Sequence, residues 1–551
     1  MSQITRHHSA SSFQLDKEKE ETEISQHVAL EDMHLVHMSM EERTAAFALA
    51  RELDPGPPVF SWRYLNFFMS IVVVLVCSCD SGFDSTIMSS VNSMTQFQDY
   101  FGLISASTGT GILFGVYTVG SVCSFFPNII LPDLLGRRVC MIIGNSLLMT
   151  GAIISANAKD MPMLLGGRWL TGFGCTMGVL SSKLYMAEIT PATSRGRYMG
   201  FLNSFFFVGQ IAATAAAIPL GRLTSEWSWR TCLYLQCGPA VVNILGVPWI
   251  AESPRWLYAR GHAERARAIL AKYHSRTGDV NSPVIKLEMQ EIEAAISLEG
   301  GDRQFWNFKK VFGTRADRYR FGLCLMISVW GQLAGNSLIT YFLPVLLGLA
   351  GIENRDTQRQ LNLVNSVTSM CGAIAGSSAV DHIGRRKLLL SAITGACCGM
   401  FLVGALNSPA GVQSKTRADA GISFIFLFGV FYSFGMTPLQ GLYPSEVLSF
   451  ENRAKGLSLQ AWFTNAIACI NTFAIPPALG KLGYIVYFMF GAWNLIGIAV
   501  IYTFAVETKQ LSLEEMSEVF DAPRPKLRSF ELAAVARERV KKEKELLRAR
   551  E

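Results

Sequence analysis

Apolar stretches of about 20 residues recur along almost the whole chain, and each is long enough to cross about 30 Å of hydrocarbon. Half of the residues are hydrophobic and only 17% are charged, whereas soluble domains carry about 25% charged residues. This composition is incompatible with a soluble enzyme and predicts an all-α membrane protein. The twelve predicted spans lie near 66–90, 106–130, 139–158, 163–187, 198–220, 231–250, 320–349, 362–380, 388–407, 420–444, 456–478 and 482–505.

A short set of charged residues occurs twice, about 250 residues apart, at matching places among these spans. Each copy has an acidic residue, a Gly-Arg-Arg triplet and, further on, a glutamate followed by an arginine at the same interval. A long-period repeat of hydrophobic helices is typical of a transporter built from two similar bundles. We therefore predict two six-helix bundles. The repeated residues are Asp133, Arg137, Arg138, Glu188 and Arg195 in the first half and Asp381, Arg385, Arg386, Glu446 and Arg453 in the second.

Basic clusters mark alternate loops, and by the positive-inside rule those loops are cytoplasmic. With twelve spans both termini are then cytoplasmic too. The opposite loops also contain basic residues, among them Lys159 and Arg222. The predicted orientation therefore rests on the clustering of basic residues and not on their total number.

The charge pattern divides the chain into two bundles, a cytoplasmic helical loop between them and two cytoplasmic tails. We expect the first tail to be mostly disordered and to lack a cleaved signal peptide, because it is polar with no apolar core. Short helices are predicted over Glu41–Asp54, Ala263–Tyr273, Lys286–Leu298 and Glu531–Arg550. The predicted segments are 1–61 (tail), 62–251 (first bundle), 252–318 (loop), 319–506 (second bundle) and 507–551 (tail).

The positions of the cysteines and glycines predict that the protein has no metal site and no cofactor site. All twelve cysteines, from Cys77 to Cys469, fall in apolar spans, so free thiols are expected. No Cys/His cluster has metal-ligand spacing and no phosphate-binding glycine loop is present. We expect no enzyme activity, no nucleic-acid partner and a functional monomer in a lipid bilayer.

Several short motifs resemble the sugar porter family of the major facilitator superfamily. The resemblance covers roughly 62–516 and implies the major facilitator fold. Two further motifs, starting at Gly331 and Thr437, look like the fungal lactose-permease and cellodextrin-transporter group. The motifs that resemble the wider family are Gly82-Phe-Asp84, Gly167-Arg168 with Gly172, Glu252-Ser-Pro-Arg255-Trp256 and Glu507-Thr-Lys-Gln-Leu-Ser-Leu-Glu514-Glu515.

The resemblance implies that the repeated charges, together with Glu252 and Arg255, hold the cytoplasmic side shut and loosen as the bundles rock. Carboxylates and guanidiniums at helix ends can form bidentate, charge-assisted pairs. The alternative is that these residues serve only as topology signals for insertion.

Ionisable groups deep in the membrane are few, and each costs about 2.5–3.5 kcal/mol or more at mid-depth. Asp84 lies about 27 Å from the start of a span that runs toward the outside. Arg168 lies a few residues into a span that runs toward the inside. Both are therefore expected in the outer half of the membrane, where they can pair. The resemblance implies that Asp84 accepts the coupling proton and Arg168 tunes it; a static ion pair in a facilitator is the alternative. Asp80, one turn earlier, is either a second proton group or a pore-facing hydrogen bonder. Lys183 is expected to snorkel to the cytoplasmic interface, with anionic-substrate binding as the alternative.

A sugar site needs amide and hydroxyl side chains for directional hydrogen bonds, and aromatic faces for the C–H surface of the ring. The resemblance gives a partial set of such residues, with departures: Gly441 stands where the family has a pocket tryptophan, and Asn203 where it has a glutamine. For any one amide the alternative is a helix–helix hydrogen bond. The candidate substrate-binding residues are Asn203, Gln210, Gln332, Asn336, Tyr341, Gly441 and Asn465.

The sequence thus predicts a secondary transporter, expected in the plasma membrane, that takes up a disaccharide or other glycoside with a proton as the coupling ion. The alternatives are a sugar facilitator, a carrier of a non-sugar fungal metabolite, and a non-transporting nutrient sensor. The 45 residues after Val506 are short for a signalling tail, which disfavours the sensor.

Overall fold

The computed structural model describes residues 40–58, 60–103, 108–191, 195–300, 308–349, 352, 354–409, 415–449, 452–509, 511 and 513–535. Over these residues the structure is built from helices and their connections. The chain divides into two compact units, one formed by Met1–Ser70 with Ile250–Gln304 and the other by Ile71–Trp249 with Phe305–Glu551.

Thirteen α-helices lie within the described residues of the first half. In order they are α1 (Met40–Leu53), α2 (Trp62–Asn92), α3 (Thr95–Phe101), α4 (Thr108–Cys123), α5 (Phe125–Leu135), α6 (Arg137–Ala156), α7 (Met161–Ile189), α8 (Arg195–Leu220), α9 (Trp227–Leu235), α10 (Cys237–Gly246), α11 (Pro254–Ala259), α12 (Ala263–His274) and α13 (Pro283–Gly300).

In the described residues of the second half, eight further α-helices have defined bounds, and residues 525–535 are also helical. They are α14 (Arg315–Leu333), α15 (Asn336–Leu349), α16 (Arg355–Ile383), α17 (Arg385–Leu406), α18 (Lys415–Val447), α19 (Arg453–Leu482), α20 (Ile485–Phe504) and α21 (Leu513–Asp521).

Each of the twelve predicted spans coincides with a helix or a pair of consecutive helices. Among the described residues, nine helices are long and apolar enough to cross a membrane, or ten if the bent pair α4 and α5 is one span. The two remaining predicted spans are α7 and α19, which have 29 and 30 residues. At about 1.5 Å per residue both exceed the thickness of the hydrocarbon. The protein is an all-α, multi-pass membrane protein.

Among the described residues, three predicted spans consist of two consecutive helices each, and one of the three is bent by more than 40°. Helices α4 and α5 meet at Ser124 with a bend of 43°. Pro127 follows the break and has no N–H to donate to the carbonyl of Cys123, so the helical ladder is interrupted there. The Ser124 hydroxyl also bonds back to the carbonyl of Ser121 at 2.7 Å, a contact that bends helices.

The duplicated Gly-Arg-Arg triplets have the same backbone conformation in both halves. Gly136 before α6 has φ +94° and Gly384 before α17 has φ +97°, a region that side-chain-bearing residues rarely adopt. Each glycine therefore turns the chain sharply between two antiparallel helices and places the following arginine at a helix start.

In the first unit, α1 packs against α13 and α12 lies beside both. Ala46 and Ala50 of α1 form a buried cluster with Val284 and Leu287 of α13. The imidazole Nδ1 of His274 and the carboxylate of Glu288 are 2.6 Å apart.

Asp54, just after α1, fixes the end of this helix to the segment before α13. Its carboxylate accepts hydrogen bonds from the Ser282 hydroxyl at 2.7 Å and the Arg276 backbone N–H at 2.7 Å. Burial raises the pKa of Asp54, but hydrogen bonds from Ser282, Arg276, Ser275 and Gly56 outweigh it and hold the pKa below 3.8. Since the folded pKa is the lower one, this stabilisation is complete above the unfolded pKa of about 4 and is lost only as pH falls through the folded value.

Candidate functional site

Asp84 and Arg168 form an ion pair inside the first bundle, as their sequence positions predicted. The carboxylate Oδ1 and guanidinium Nη1 are 3.0 Å apart, and the two side chains are 1% and 2% exposed. The guanidinium also lies 4.7 Å from the ring centre of Tyr117 on α4. Helices α2, α4 and α7 therefore bring together a carboxylate, a cation and an aromatic face away from water.

Close helix packing fixes the position of this carboxylate. A Cβ at Gly82 would lie 1.8 Å from the Phe206 carbonyl oxygen, and a Cβ at Gly209 would lie 1.9 Å from that of Cys79. Only glycines allow α2 and α8 to approach so closely. The backbone carrying Asp80 and Asp84 is thereby held against α8.

Asp80 is 3% exposed and lies within the first bundle, where its Oδ2 accepts a hydrogen bond from Nδ2 of Asn243 on α10 at 2.7 Å. Asp80 and Asp84 are thus both buried but have different partners. Lys183, nearer the C-terminal end of α7, is partly exposed.

The repeated charges form matching networks at the start of α6 and of α17. Arg137 binds Asp133 at 3.0 Å and Glu188 at 2.8 Å, and it donates to the Pro132 carbonyl at 3.0 Å.

In the second half, Arg385 binds both carboxylate oxygens of Glu446 at 2.8–3.2 Å and contacts the Val380 carbonyl at 3.5 Å. Glu507 accepts hydrogen bonds from the backbone N–H groups of Arg385 and Arg386 at 2.9 and 3.3 Å. The carbonyl contacted in each half lies five residues before the arginine, so the two networks are structurally equivalent.

The remaining predicted gating residues have contacts of their own. Arg138 donates to the carbonyls of Val247 and Pro248, and Arg386 to the Tyr502 carbonyl at 2.7 Å. Arg195 begins α8 and Arg453 begins α19. In the other unit, Glu252 accepts a hydrogen bond from the Ser253 N–H at 2.9 Å, and Arg255 lies in α11. The side chain of Asp381 is outside the described residues.

Two predicted substrate-binding residues face one another between α8 and α18. A Cβ at Gly441 would lie 3.3 Å from the Nδ2 atom of Asn203 and meet nothing else within 4 Å. Gly441 is exposed and Asn203 half-buried. Gly441 therefore borders open space next to an amide of the opposite bundle.

The other candidates are more dispersed. Gln210 is 3% exposed and its Oε1 has no hydrogen-bond partner among the described residues. The backbone carbonyl of Gln332 accepts a hydrogen bond from the Asn471 amide at 2.9 Å, and the Tyr341 ring is 5.4 Å from that of Phe114. Asn465 donates to the Ala461 carbonyl of its own helix at 3.1 Å, so this contact is not a hydrogen bond between helices. Asn336 begins α15 and is half-buried.

Sequence reasoning missed several polar residues that complete these contacts. Tyr117 and Asn243 adjoin the two buried carboxyls. In the second bundle, Tyr432 donates to the Gly331 carbonyl and accepts from Gln440 at 2.9 Å. Single tyrosines and amides inside apolar helices carry no sequence pattern of their own, although Gln440 stands in the motif that starts at Thr437.

The two bundles are joined by an ion pair at the helix ends opposite to the repeated charges. Arg222, after α8, binds Asp356 of α16 at 3.0 Å, and Arg359 binds the same carboxylate at 2.9 Å. Thr118 of α4 and Thr472 of α19 share a hydrogen bond of 3.0 Å. The bundles are thus in direct contact at this end.

Residues 70–520 match the family described as "Sugar (and other) transporter". The chain belongs to this family. It is a member of a transporter family and not an enzyme.

Curated relatives have several named substrates. A quinate permease of Neurospora terricola is 27% identical over 86% of this chain and 92% of its own length. An MFS glucose transporter of Aspergillus flavus is 27% identical over 82% and 89%. Myo-inositol transporter 2 of Cryptococcus neoformans is 29% identical over 76% of each chain.

Among solved structures, the proton:xylose symporter XylE bound to 6-bromo-6-deoxy-D-glucose matches with a TM-score of 0.68 at 19% identity, over 83% of this chain and 100% of XylE. The inward-open form of XylE from E. coli matches with the same TM-score over 82% and 99%. This likeness shows the major facilitator fold of twelve helices in two bundles.

Proposed function

We propose that this sugar-transporter family member is a secondary transporter that takes up a polyhydroxylated solute together with a proton. The observation that carries the proposal is the Asp84–Arg168 pair, which is buried inside the first bundle at 3.0 Å. Keeping two charges in a membrane interior is expensive, and such groups mark ion and proton pathways in transporters.

The pair is chemically suited to reversible protonation. The neighbouring guanidinium favours the ionised carboxylate, whereas burial favours the protonated acid. A rearrangement within the first bundle that separates Arg168 from Asp84 would shift the balance toward proton binding. The Tyr117 ring, 4.7 Å from the guanidinium, offers Arg168 a cation–π contact when the carboxylate is neutral.

For the solute we propose a neutral sugar larger than one ring, such as a disaccharide or glycoside. Gly441 borders open space opposite Asn203, and the absence of a side chain there leaves room for a second ring. An amide at the border supplies directional hydrogen bonds to hydroxyl groups. The relatives named for glucose, myo-inositol and quinate define the smaller polyhydroxylated solutes that compete with this proposal.

Uptake measurements test solute and coupling together. Cells lacking their own sugar carriers and expressing this chain should accumulate labelled cellobiose or lactose, and a protonophore should abolish the accumulation. The panel should include glucose, xylose, myo-inositol and quinate. Accumulation that survives the protonophore argues against proton coupling, and uptake of quinate or inositol alone argues against the disaccharide.

We further propose that the Arg137 and Arg385 networks close the cytoplasmic side and that the Arg222–Asp356 contact closes the opposite side. This orientation places both termini and the loop near Gly301 in the cytoplasm, with the plasma membrane as the proposed location. Epitope tags at residues 1, 301 and 551 should be reached by antibody only in permeabilised cells, and a tag near Gln358 in intact cells. Labelling of the tag at 301 in intact cells contradicts the orientation.

A further inference from the structure

Asp80 is a second buried carboxyl, one helical turn before Asp84, and its surroundings differ from those of Asp84. It is 3% exposed. Among the described residues it forms no ion pair, and the hydrogen bond that it accepts comes from a neutral amide, Asn243 Nδ2, at 2.7 Å. Arg168 is engaged by Asp84.

Two oxygen atoms of the Asp80–Asn243 pair remain unsatisfied. Asp80 Oδ1 and Asn243 Oδ1 are both buried and have no hydrogen-bond partner within the described part of the chain. Two acceptors cannot bond to each other, and buried polar atoms are normally paired. A proton on Asp80 Oδ1 turns that atom into a donor, and a carboxylic acid and a primary amide can pair through two parallel hydrogen bonds.

We propose that Asp80 holds a proton and shares it with the side-chain carbonyl of Asn243, so that this acid–amide pair is a second proton-binding site beside Asp84–Arg168. One proton then satisfies both unpaired oxygens. It also leaves Asp84 as the single anion opposite Arg168.

Within the described parts of the chain, the groups around Asp80 bring no compensating positive charge. If Asp80 and Asp84 were both ionised, two negative charges would lie on one helix face. The low dielectric of the interior would weaken their repulsion only a little. Helix α8 approaches through Gly209, which has no side chain. From α6 the Asn145 amide donates to Cys77 Sγ at 3.6 Å. The titratable neighbours of Asp80 are Cys77, Cys79 and Asp84 on α2 and Cys175 on α7.

Infrared spectroscopy of the purified full chain in lipid at neutral pH tests this proposal. A protonated carboxyl has a C=O stretching band distinct from that of a carboxylate, and the band shifts in D₂O. The wild type should show such a band, Asp80→Asn should lose it, and Asp84→Asn should keep it. A wild-type spectrum without the band, or a band that survives Asp80→Asn, overturns the proposal.

Two further variants keep the test decisive if Asp80→Asn does not fold. Exchanging the partners, by Asp80→Asn with Asn243→Asp, retains one acid and one amide and should retain the band. Asn243→Leu removes the acceptor and should shift the band to the position of a weakly hydrogen-bonded acid; an unshifted band there contradicts sharing with Asn243. The measurement needs no solute, so it remains valid if the proposed transport function fails.

Discussion

The two bundles share a scaffold and differ in what they bury. Away from its helix ends, the first contains two buried carboxyls and a buried guanidinium, at Asp80, Asp84 and Arg168. In the helices of the second, acidic residues stand only toward the ends, as at Asp356 and Glu446. The interior polar contacts described there are neutral, such as Asn494 with the Ala334 carbonyl at 3.0 Å and Gln460 with the Ser328 hydroxyl at 3.0 Å.

The helix ends, by contrast, are alike in the two halves. Arg137 and Arg385 begin equivalent helices after glycines of nearly equal φ, and each binds a glutamate at 2.8 Å. A duplicated scaffold has therefore kept its terminal ion pairs while its two interiors diverged. This contrast is why we propose proton binding in the first bundle and a neutral contribution to the solute site from the second.

Asp84→Asn should have the largest effect, because it removes the carboxyl proposed to couple uptake to the proton gradient. One pH unit corresponds to about 1.4 kcal/mol, so an inward gradient of one unit should support about tenfold accumulation in the wild type. The variant should only equilibrate the solute while retaining exchange. Accumulation ratios at outside pH 5 and 7 measure this, and undiminished accumulation would remove Asp84 from the mechanism.

Arg137→Leu and Arg385→Leu compare the two terminal networks directly. Removing one partner of a buried ion pair destabilises a protein by about 3–5 kcal/mol. We expect the larger loss at Arg137, because the Glu188 side chain left behind is 8% exposed, whereas that of Glu446 is 24% exposed. Melting temperatures in detergent measure the difference, and the Lys variants are matched controls that keep the charge. An equal loss in both halves would show that burial of the glutamate is immaterial.

Gly441→Trp tests whether the space opposite Asn203 receives the solute. The variant should express normally and lose affinity for a disaccharide at least tenfold, about 1.4 kcal/mol, while a single-ring sugar is less affected. Gly376→Trp is the matched control: a Cβ there would lie 1.8 Å from the Phe434 carbonyl oxygen, so expression should fail. Normal disaccharide affinity in a well-expressed Gly441→Trp protein refutes the large-solute site.

Asn494→Ala should have the smallest effect and sharpens the description of the second bundle as neutral. Hydrogen bonds between membrane helices contribute about 0.6 kcal/mol on average and up to about 1.7 kcal/mol. The melting temperature should therefore fall by a few degrees with no change in the pH dependence of uptake. A shifted pH profile would indicate proton chemistry in the second bundle as well.

Much of the fold could be predicted because membrane helices leave strong local patterns. The helix predicted over Glu41–Asp54 appears as Met40–Leu53, ended before Pro55, and the one predicted over Ala263–Tyr273 extends by one residue. The helix predicted over Glu531–Arg550 lies largely outside the described residues. The break between α4 and α5 was missed because an apolar run hides the effect of Pro127 on the backbone.

The sequence by itself determined the transmembrane helices, the duplication and the identity of the charged residues, because apolar length and repeated charges are properties of the chain alone. Tertiary structure decided which groups meet: Asp84 with Arg168, Asp80 with Asn243 and Gly441 with Asn203. The physical reason is that these partners are on different helices. Their pairing depends on how the helices rotate and cross, which glycine contacts such as those of Gly82 and Gly209 fix only in the packed bundle.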